Sequence, residues 1–156
     1  MTDLWRLLTA ATTIGTAASG GALLTYSTFT TTGLARLPAS QGMAAMQQLN
    51  LAAPRSAGFM TVLFLPAALT VALAVHALAT RPGGAWLVVT ATAVHVVGVV
   101  GVTVLFHVPR NDALASMDPV ADAARFGPWL EAWVAGNHVR TASGLLSSVL
   151  LALSLR

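Results

Sequence analysis

The run AWLVVTATAVHVVGVVGVTVLFHVPRND, residues 85–112, decides the fold. Its first part, residues 85–106, contains no aspartate, glutamate, lysine or arginine. A helix needs about 20 such apolar residues to cross the hydrocarbon core of a bilayer. The run then changes abruptly, because HVPRND brings an imidazole, a proline, a guanidinium, an amide and a carboxylate together. The stretch therefore predicts a membrane-spanning helix with a polar group of side chains at one end.

The whole composition agrees with a membrane protein. Of the 156 residues, 56% are hydrophobic and 8% are charged, against roughly 25% charged residues in soluble domains. Further apolar runs of similar character occur on both sides of the first one. We predict an all-α integral membrane four-helix bundle, formed by a single domain over residues 1–156, with spans at about 7–35, 57–80, 85–106 and 139–155.

The connections between the spans differ in length. The second and third spans are joined by Arg81-Pro82-Gly83-Gly84, which predicts a tight antiparallel turn. The first connection contains QGMAAMQQLN, which predicts a short amphipathic helix, either at the membrane interface or tucked over the bundle. The long connection 107–140 is predicted to be partly helical, with Pro109 ending the third span. The connections 36–56 and 107–140 then lie on the same side of the membrane.

Charge gives a prediction about partners and sidedness. The net charge is +3, but the eight arginines are spread singly and form no basic patch, so we expect no nucleic-acid partner. The side with the long connections carries five arginines and the other carries three: 36, 55, 110, 125 and 140 against 6, 81 and 156. The positive-inside rule therefore favours cytoplasmic long loops. The chain contains no cysteine, and hence no disulfide or thiolate ligand.

A candidate site comes from the phase of the helix predicted over WLEAWVAGNHVR, residues 129–140. At 100° per residue, Trp129, Trp133, Asn137 and Arg140 fall at about 0°, 40°, 80° and 20°. Two indoles, an amide and a guanidinium then line one face. Interfacial anchoring by the tryptophans and snorkelling by the arginine is the structural alternative.

HVPRND lies on the same side of the membrane as this stripe. Asn111 and His107 are therefore expected to approach Asn137, His138 and Arg140. Polar side chains at membrane depth are costly unless they are paired or face a cavity, so such a cluster is a functional candidate. The first span contains nine threonines, of which Thr28 is a candidate for the site, with helix packing as the alternative.

No histidine pair has the spacing of a known metal motif. His107 and His138 could still converge in three dimensions, so a metal held by these two histidines remains an alternative. We otherwise predict no cofactor.

Several of these segments resemble a known family. They are four spans, GLARLPASQGMAAMQQLN after the first, GVTVLFHVPRNDAL at the end of the third, and an aromatic helix leading into NHVRT. Together they resemble the anthrone oxygenase-like family of small integral membrane proteins. The most specific elements are V-P-x-N-x-x-L, with Asn111, and N-x-x-R-T, with Asn137 and Arg140. The chain departs from the pattern at His107, where many members have asparagine, and at Gly136, where many have tryptophan.

The resemblance implies a reaction. Characterised fungal members oxidise anthrones to anthraquinones with molecular oxygen and without an organic cofactor. It also implies a multi-pass protein of a bacterial-type cell membrane that acts on a hydrophobic small molecule. Whether the chain forms a homo-oligomer is left open.

In this chain the reaction requires a base, donors for an oxyanion and aromatic walls. The candidate base is His107 or His138. The candidate oxyanion donors are Arg140, Asn111 and Asn137. Trp129 and Trp133 are the candidate walls, and Thr28 is expected beside the substrate. One alternative is a non-enzymatic membrane protein that binds a lipid or hydrophobic ligand, with the asparagines and Arg140 as a structural clasp. A second is a metal-dependent oxidase that uses His107 and His138.

Overall fold

The computed structural model describes residues 3–156, which fold into five helices with no β-strand in that range. The helices are α1, Asp3–Ala35; α2, Ala39–Ala52; α3, Ala57–Thr80; α4, Ala85–Ala115; and α5, Phe126–Leu153. The predicted all-α fold is confirmed.

Three of the helices, α1, α3 and α4, are long and apolar enough to cross a membrane. The fourth span predicted, 139–155, falls in the second half of α5, which is not among these three. Asn137, Arg140 and several serines make α5 more polar, yet these side chains are buried within the bundle. The chain is a helical membrane bundle in which one face of α5, with Asn137 and Arg140, is buried against the other helices.

Helices α1 and α5 approach each other closely enough for their backbones to touch. A Cβ atom added at Gly144 would stand 2.9 Å from Cα of Gly20. The buried threonines of α1 do not oppose this packing, because their hydroxyls donate to carbonyls of their own helix, as Thr12 does to Leu8 at 2.7 Å. Small residues at a helix interface allow such contact in a membrane.

Helices α3 and α4 form the predicted antiparallel hairpin. The Ser56 side chain caps the start of α3 by accepting from the backbone N–H of Phe59 at 3.2 Å. The helix ends at Arg81, which adopts a left-handed conformation with φ 47°, and the turn closes at Gly84 with φ 80°. Pro66 inside α3 packs against Gly15 of α1, where a Cβ would meet the proline ring at 3.1 Å.

Helix α2 is the predicted short helix of the first connection, and it is tucked over the bundle. Its two methionines, Met43 and Met46, are fully buried in one core with Leu114, Phe126 and Trp133. Nε2 of Gln47 donates to the carbonyls of Leu114 and Met117, each at 2.9 Å. Helix α2 is therefore tied to the end of α4.

The prediction that Pro109 ends the third span is wrong, because α4 continues through it to Ala115. Two wide π-helical segments, Val96–Gly101 and Thr103–His107, come directly before it. A proline in a regular helix clashes with a carbonyl of the preceding turn and lacks an N–H. The wider turn gives the ring of Pro109 room, and π-helical segments are frequent at functional sites.

The chain turns after α4 instead, at residues 116–125. The carboxylate of Asp118 accepts from the backbone N–H groups of Val120 at 2.9 Å and Ala121 at 2.8 Å. These bonds lower the pKa of the Asp118 carboxyl below its usual value. Asp122 and Arg125 form an ion pair in the same exposed turn.

Candidate functional site

A cavity of about 330 Å³ lies between the helices, at the end of the bundle that α2 covers. Ligand sites in proteins usually measure about 300–1,000 Å³ and combine apolar walls with few polar groups. The walls here follow that pattern. The polar lining side chains are Asn50, Thr103, His107, Asn111, Asp112 and Arg140, and the apolar and aromatic lining includes Leu23, Tyr26, Phe59, Leu63 and Trp133.

His107 borders this cavity and is only 1% exposed. Neither of its ring nitrogens has a hydrogen-bond partner among residues 3–156. The ring packs edge-on against Trp133, with 4.8 Å between centroids, and against Phe106 at 5.3 Å. Buried polar atoms of folded proteins are usually paired, so an unpaired imidazole on a cavity wall indicates a place for a ligand.

Gly136 makes this position of His107 sterically possible. A Cβ atom at residue 136 would stand 2.4 Å from Cε1 of Phe106 and 3.0 Å from Nε2 of His107. No side chain larger than hydrogen fits there without moving one of the two rings. His107 and Gly136 are therefore in contact.

Arg140 reaches the cavity from α5 and is 6% exposed. Its guanidinium donates from Nη2 to Oδ1 of Asn137 at 2.6 Å and from Nη1 to Oγ1 of Thr103 at 3.2 Å. Its Nε is buried without a partner, and no carboxylate within residues 3–156 forms an ion pair with it. A buried charge is costly unless it is compensated, so this guanidinium favours an anionic ligand.

Asn137 is fully buried and does not line the cavity. Both hydrogens of its amide are used, since Nδ2 donates to the Leu23 carbonyl and to Oγ of Ser27, each at 2.8 Å. Ser27 lies in a π-helical turn of α1, Tyr26–Thr30, and contacts the Thr141 hydroxyl at 3.1 Å. The predicted oxyanion donor is thus engaged with protein, and Asn137 positions Arg140 and ties α5 to α1.

Asn111 lies on the cavity wall and joins the tryptophan stripe. Its Oδ1 accepts from Nε1 of Trp133 at 3.0 Å, and Nε1 of Trp129 donates to the Arg110 carbonyl at 3.1 Å. The two indoles stack with 6.4 Å between their centroids. The predicted stripe therefore exists, but Trp133 alone borders the cavity, while Trp129 supports it from behind.

Two predicted site residues lie elsewhere. His138 is exposed on the outer side of α5, in a separate shallow depression that it shares with Glu131. It therefore shares no site with His107. Thr28 is exposed on α1, and its hydroxyl donates to the Leu24 carbonyl at 2.8 Å. Its neighbour Ser27 is the α1 residue that takes part in the Asn137 network.

The structure does not bring together the two histidines that a metal site would need. Within residues 3–156 there is no group of three or more histidine, aspartate or glutamate side chains that could hold a metal ion. Of the other histidines, His76 stacks on Trp5 with 3.7 Å between centroids, and His95 is fully buried within the bundle.

Most lining residues were not predicted from the sequence, including three with polar groups: Tyr26, Thr103 and Asn50. Tyr26 and Thr103 belong to the apolar spans and carry no signal apart from helix packing. Asn50 lies on α2, at the end of the stretch QGMAAMQQLN. Because α2 was predicted only as an interfacial or covering helix, its contribution to a cavity could not be inferred without knowing its position.

The family resemblance is borne out by comparison with known proteins. A family model described as anthrone oxygenase matches residues 56–150, which is more than half of the chain. The matched region contains His107, Asn111, Asn137 and Arg140, whereas α2 with Asn50 lies outside it. No curated protein and no solved structure matches the chain.

Proposed function

The chain belongs to the anthrone oxygenase family, and from this premise we propose that it oxidises an apolar polycyclic phenol of the anthrone type to the quinone with molecular oxygen. The proposal needs no organic cofactor, because oxygen supplies the oxidant. It uses one site, the cavity bordered by His107, Asn111, Trp133 and Arg140.

One observation carries the proposal: the buried Arg140 guanidinium has no counter-ion among the described residues and stands on the wall of an apolar cavity. A neutral hydrocarbon would leave this charge uncompensated. An enolate or phenolate would supply the missing negative charge through its oxygen. The site is thus suited to a ligand that is apolar in its body and becomes anionic at one oxygen.

The first step is removal of a proton from the methylene group of the anthrone. With the ring proton of His107 on Nε2, which faces Gly136, Nδ1 holds the free lone pair that accepts the substrate proton. The electrons of the broken C–H bond move into the ring ketone and produce an enolate. Arg140 stabilises the enolate oxygen, and Thr103 and Asn137 hold the guanidinium in place.

The enolate then reduces molecular oxygen. Its former methylene carbon bonds one oxygen atom, and the outer oxygen atom takes the proton back from His107, which gives a hydroperoxide. The hydrogen still on that carbon then leaves with the outer O–H as water, and the second carbonyl forms. One anthrone and one oxygen molecule give one anthraquinone and one water. Trp133 supplies a flat wall for the ring system, while its own N–H is occupied by Asn111.

The rim of the cavity suits a substrate that partitions into lipid. Phe64 on α3 is 39% exposed and Val108 on α4 is 45% exposed, and both line the cavity. Asp112, also on the rim, is exposed one turn further along α4. The mouth therefore runs from an apolar edge to a charged one, which is typical of the boundary between bilayer and water.

The experiment compares the two histidines near this end of the bundle. Oxygen uptake and quinone formation from anthrone are measured with purified protein, with the spontaneous rate subtracted. We expect His107→Leu to lower the enzymatic rate by about 100-fold, which is the scale of general-base catalysis. The matched control His138→Leu removes an exposed imidazole outside the cavity, so its rate should equal that of the unaltered protein.

Equal losses in the two variants, or no rate above the spontaneous one in any of them, would contradict the proposal. Thermal unfolding of each variant shows whether a lost rate reflects a lost fold.

The Asn137 network favours a second candidate, a non-enzymatic protein that binds a lipid or hydrophobic ligand. Asn137 links the Leu23 carbonyl, Ser27 and Arg140 in a buried cluster, as a structural clasp would. Under this alternative Arg140 is needed for folding and the cavity only stores a ligand. The two candidates differ in whether the protein without the Arg140 charge remains folded.

A further inference from the structure

The cavity contains a hydrogen-bond donor that the proposed reaction does not use. Asn50 lines the cavity from the last turn of α2, and its Nδ2 atom is buried without a partner among the described residues. Neither the family match nor the oxidation assigns it a role. Because a buried amide donor is destabilising when unpaired, a hydrogen-bond acceptor is expected to occupy the space before it.

The position of Asn50 is fixed by the turn that precedes it. Gln47 bonds the carbonyls of Leu114 and Met117 through a single Nε2 atom. Met43 and Met46 on the same helix are fully buried. Asn50 is therefore part of a helix that is packed and bonded against the end of α4, and its amide is presented by a fixed backbone.

Asn50 and Arg140 line the same cavity from two different helices, α2 and α5, which are bonded to different places along the chain of α4 and the turn after it. Arg140 is bonded to Thr103, whereas α2 is bonded to residues 114 and 117. The lining side chains Thr103 and Asp112 are nine residues apart, which is a rise of roughly 13 Å along a helix. The apolar side chains of Phe59 and Leu63 also line this cavity.

We infer that Asn50 binds a second oxygen of the substrate, a hydroxyl on an outer ring, while Arg140 holds the oxygen of the reacting ring ketone. This deepens the proposed function and rests on it. The substrate class is then a fused-ring ketone with an oxygen at each of two separated places, and a plain hydrocarbon ketone is the poorer ligand. The outer hydroxyl accepts from the Asn50 amide.

The test measures binding in the absence of oxygen, so that no turnover occurs. Two probes are titrated into purified protein and followed by quenching of tryptophan fluorescence: anthrone, and anthrone with one hydroxyl on an outer ring. We expect the hydroxylated probe to bind about fivefold more tightly, as one neutral hydrogen bond predicts. Asn50→Ala should remove this preference and leave the affinity for anthrone within about twofold.

Two further variants sharpen the result. Asn50→Leu has a similar size but can neither donate nor accept a hydrogen bond, so it too should lose the preference. Gln48→Ala is the matched control, because Gln48 is an exposed side chain of the same helix and does not line the cavity. It should keep both affinities.

The inference is overturned if the unaltered protein binds both probes equally, a result that needs no variant to fold. It is also overturned if Asn50→Ala weakens both probes by the same factor, which would indicate packing alone. A protein that prefers the hydroxylated probe but consumes no oxygen keeps this inference and contradicts the proposed function. A protein that oxidises anthrone but binds both probes equally supports the proposed function and overturns this inference.

Discussion

At the scale of single residues, the two polar side chains of the motif N-x-x-R, Asn137 and Arg140, have different roles. Asn137 and Arg140 lie one turn apart on α5 and share a hydrogen bond of 2.6 Å, but only Arg140 reaches the cavity. Both amide hydrogens of Asn137 are donated to α1. Spacing alone cannot separate these roles, because both residues lie on the same helical face.

Helical phase does separate the two histidines. Counted from Trp129, the stripe with Trp133 and Arg140 lies within about 40°, whereas His138 lies at about 180°. The structure indeed places His138 outside, on an exposed surface. The expectation that His138 approaches His107 is therefore wrong, and the helical phase already contradicts it. The environment of His107 could not be predicted from the sequence, because it depends on where α4 meets Gly136.

Gly136 leads to a prediction about that contact. In Gly136→Ala the new methyl group would meet the ring of Phe106 at 2.4 Å and Nε2 of His107 at 3.0 Å. Overpacking of this kind typically costs about 1–3 kcal/mol. We expect a lower unfolding temperature and an anthrone oxidation rate reduced about tenfold, since His107 must shift.

The control is Gly127→Ala on the same helix, where a Cβ meets nothing within 4 Å. It should unfold no earlier than the unaltered protein and keep its rate. Identical behaviour of the two alanine variants would show that His107 does not depend on the space at Gly136.

At the scale of elements, the apolar runs predict where helices form but not how they end. The hairpin of α3 and α4 follows from Arg81-Pro82-Gly83-Gly84, because a proline after the helix prevents its continuation and Gly84 can adopt the positive φ of the turn. The continuation of α4 past Pro109 does not follow from sequence, since it depends on the π-helical turn Thr103–His107. That turn sets the phase with which His107 and Asn111 meet α5.

The close contact of α1 with α5 gives the prediction at this scale. In Gly144→Ala the added Cβ would stand 2.9 Å from Cα and 3.0 Å from N of Gly20. These are backbone atoms, so the helices must move apart. We expect a loss of about 1–3 kcal/mol in the free energy of unfolding, measured as denaturation in detergent followed by tryptophan fluorescence.

Gly21→Ala is the comparison, because a Cβ at residue 21 meets nothing within 4 Å. An alanine in a helix is favoured over glycine by up to about 1 kcal/mol, so this variant should be equally or more stable. The account of the α1–α5 interface fails if Gly144→Ala is as stable as Gly21→Ala.

At the scale of the whole molecule, three helices are long and apolar enough to span a membrane, and the cavity lies at the end with the long connections. The five arginines of that end against three at the other predict that it is cytoplasmic. Because the chain has no cysteine, single cysteines can report on sidedness. Ser116→Cys and Gly83→Cys place an exposed thiol at either end.

In intact spheroplasts a membrane-impermeant maleimide should label the cysteine at residue 83 and spare the one at residue 116. Labelling of both is expected after lysis, which is the control for reactivity. The opposite pattern before lysis would place the cavity end outside the cell.

The central claim is that the Arg140 charge serves an anionic ligand and not the fold. The measurement that tests it most directly is the initial rate of oxygen uptake with anthrone for Arg140→Met beside the unaltered protein, with thermal unfolding of both. Methionine removes a buried charge that lacks a carboxylate partner in the described chain, so the variant should remain folded. Loss of an oxyanion donor should lower the rate by about 100-fold or more. A folded variant with an unchanged rate, or a variant that cannot fold, would contradict the claim.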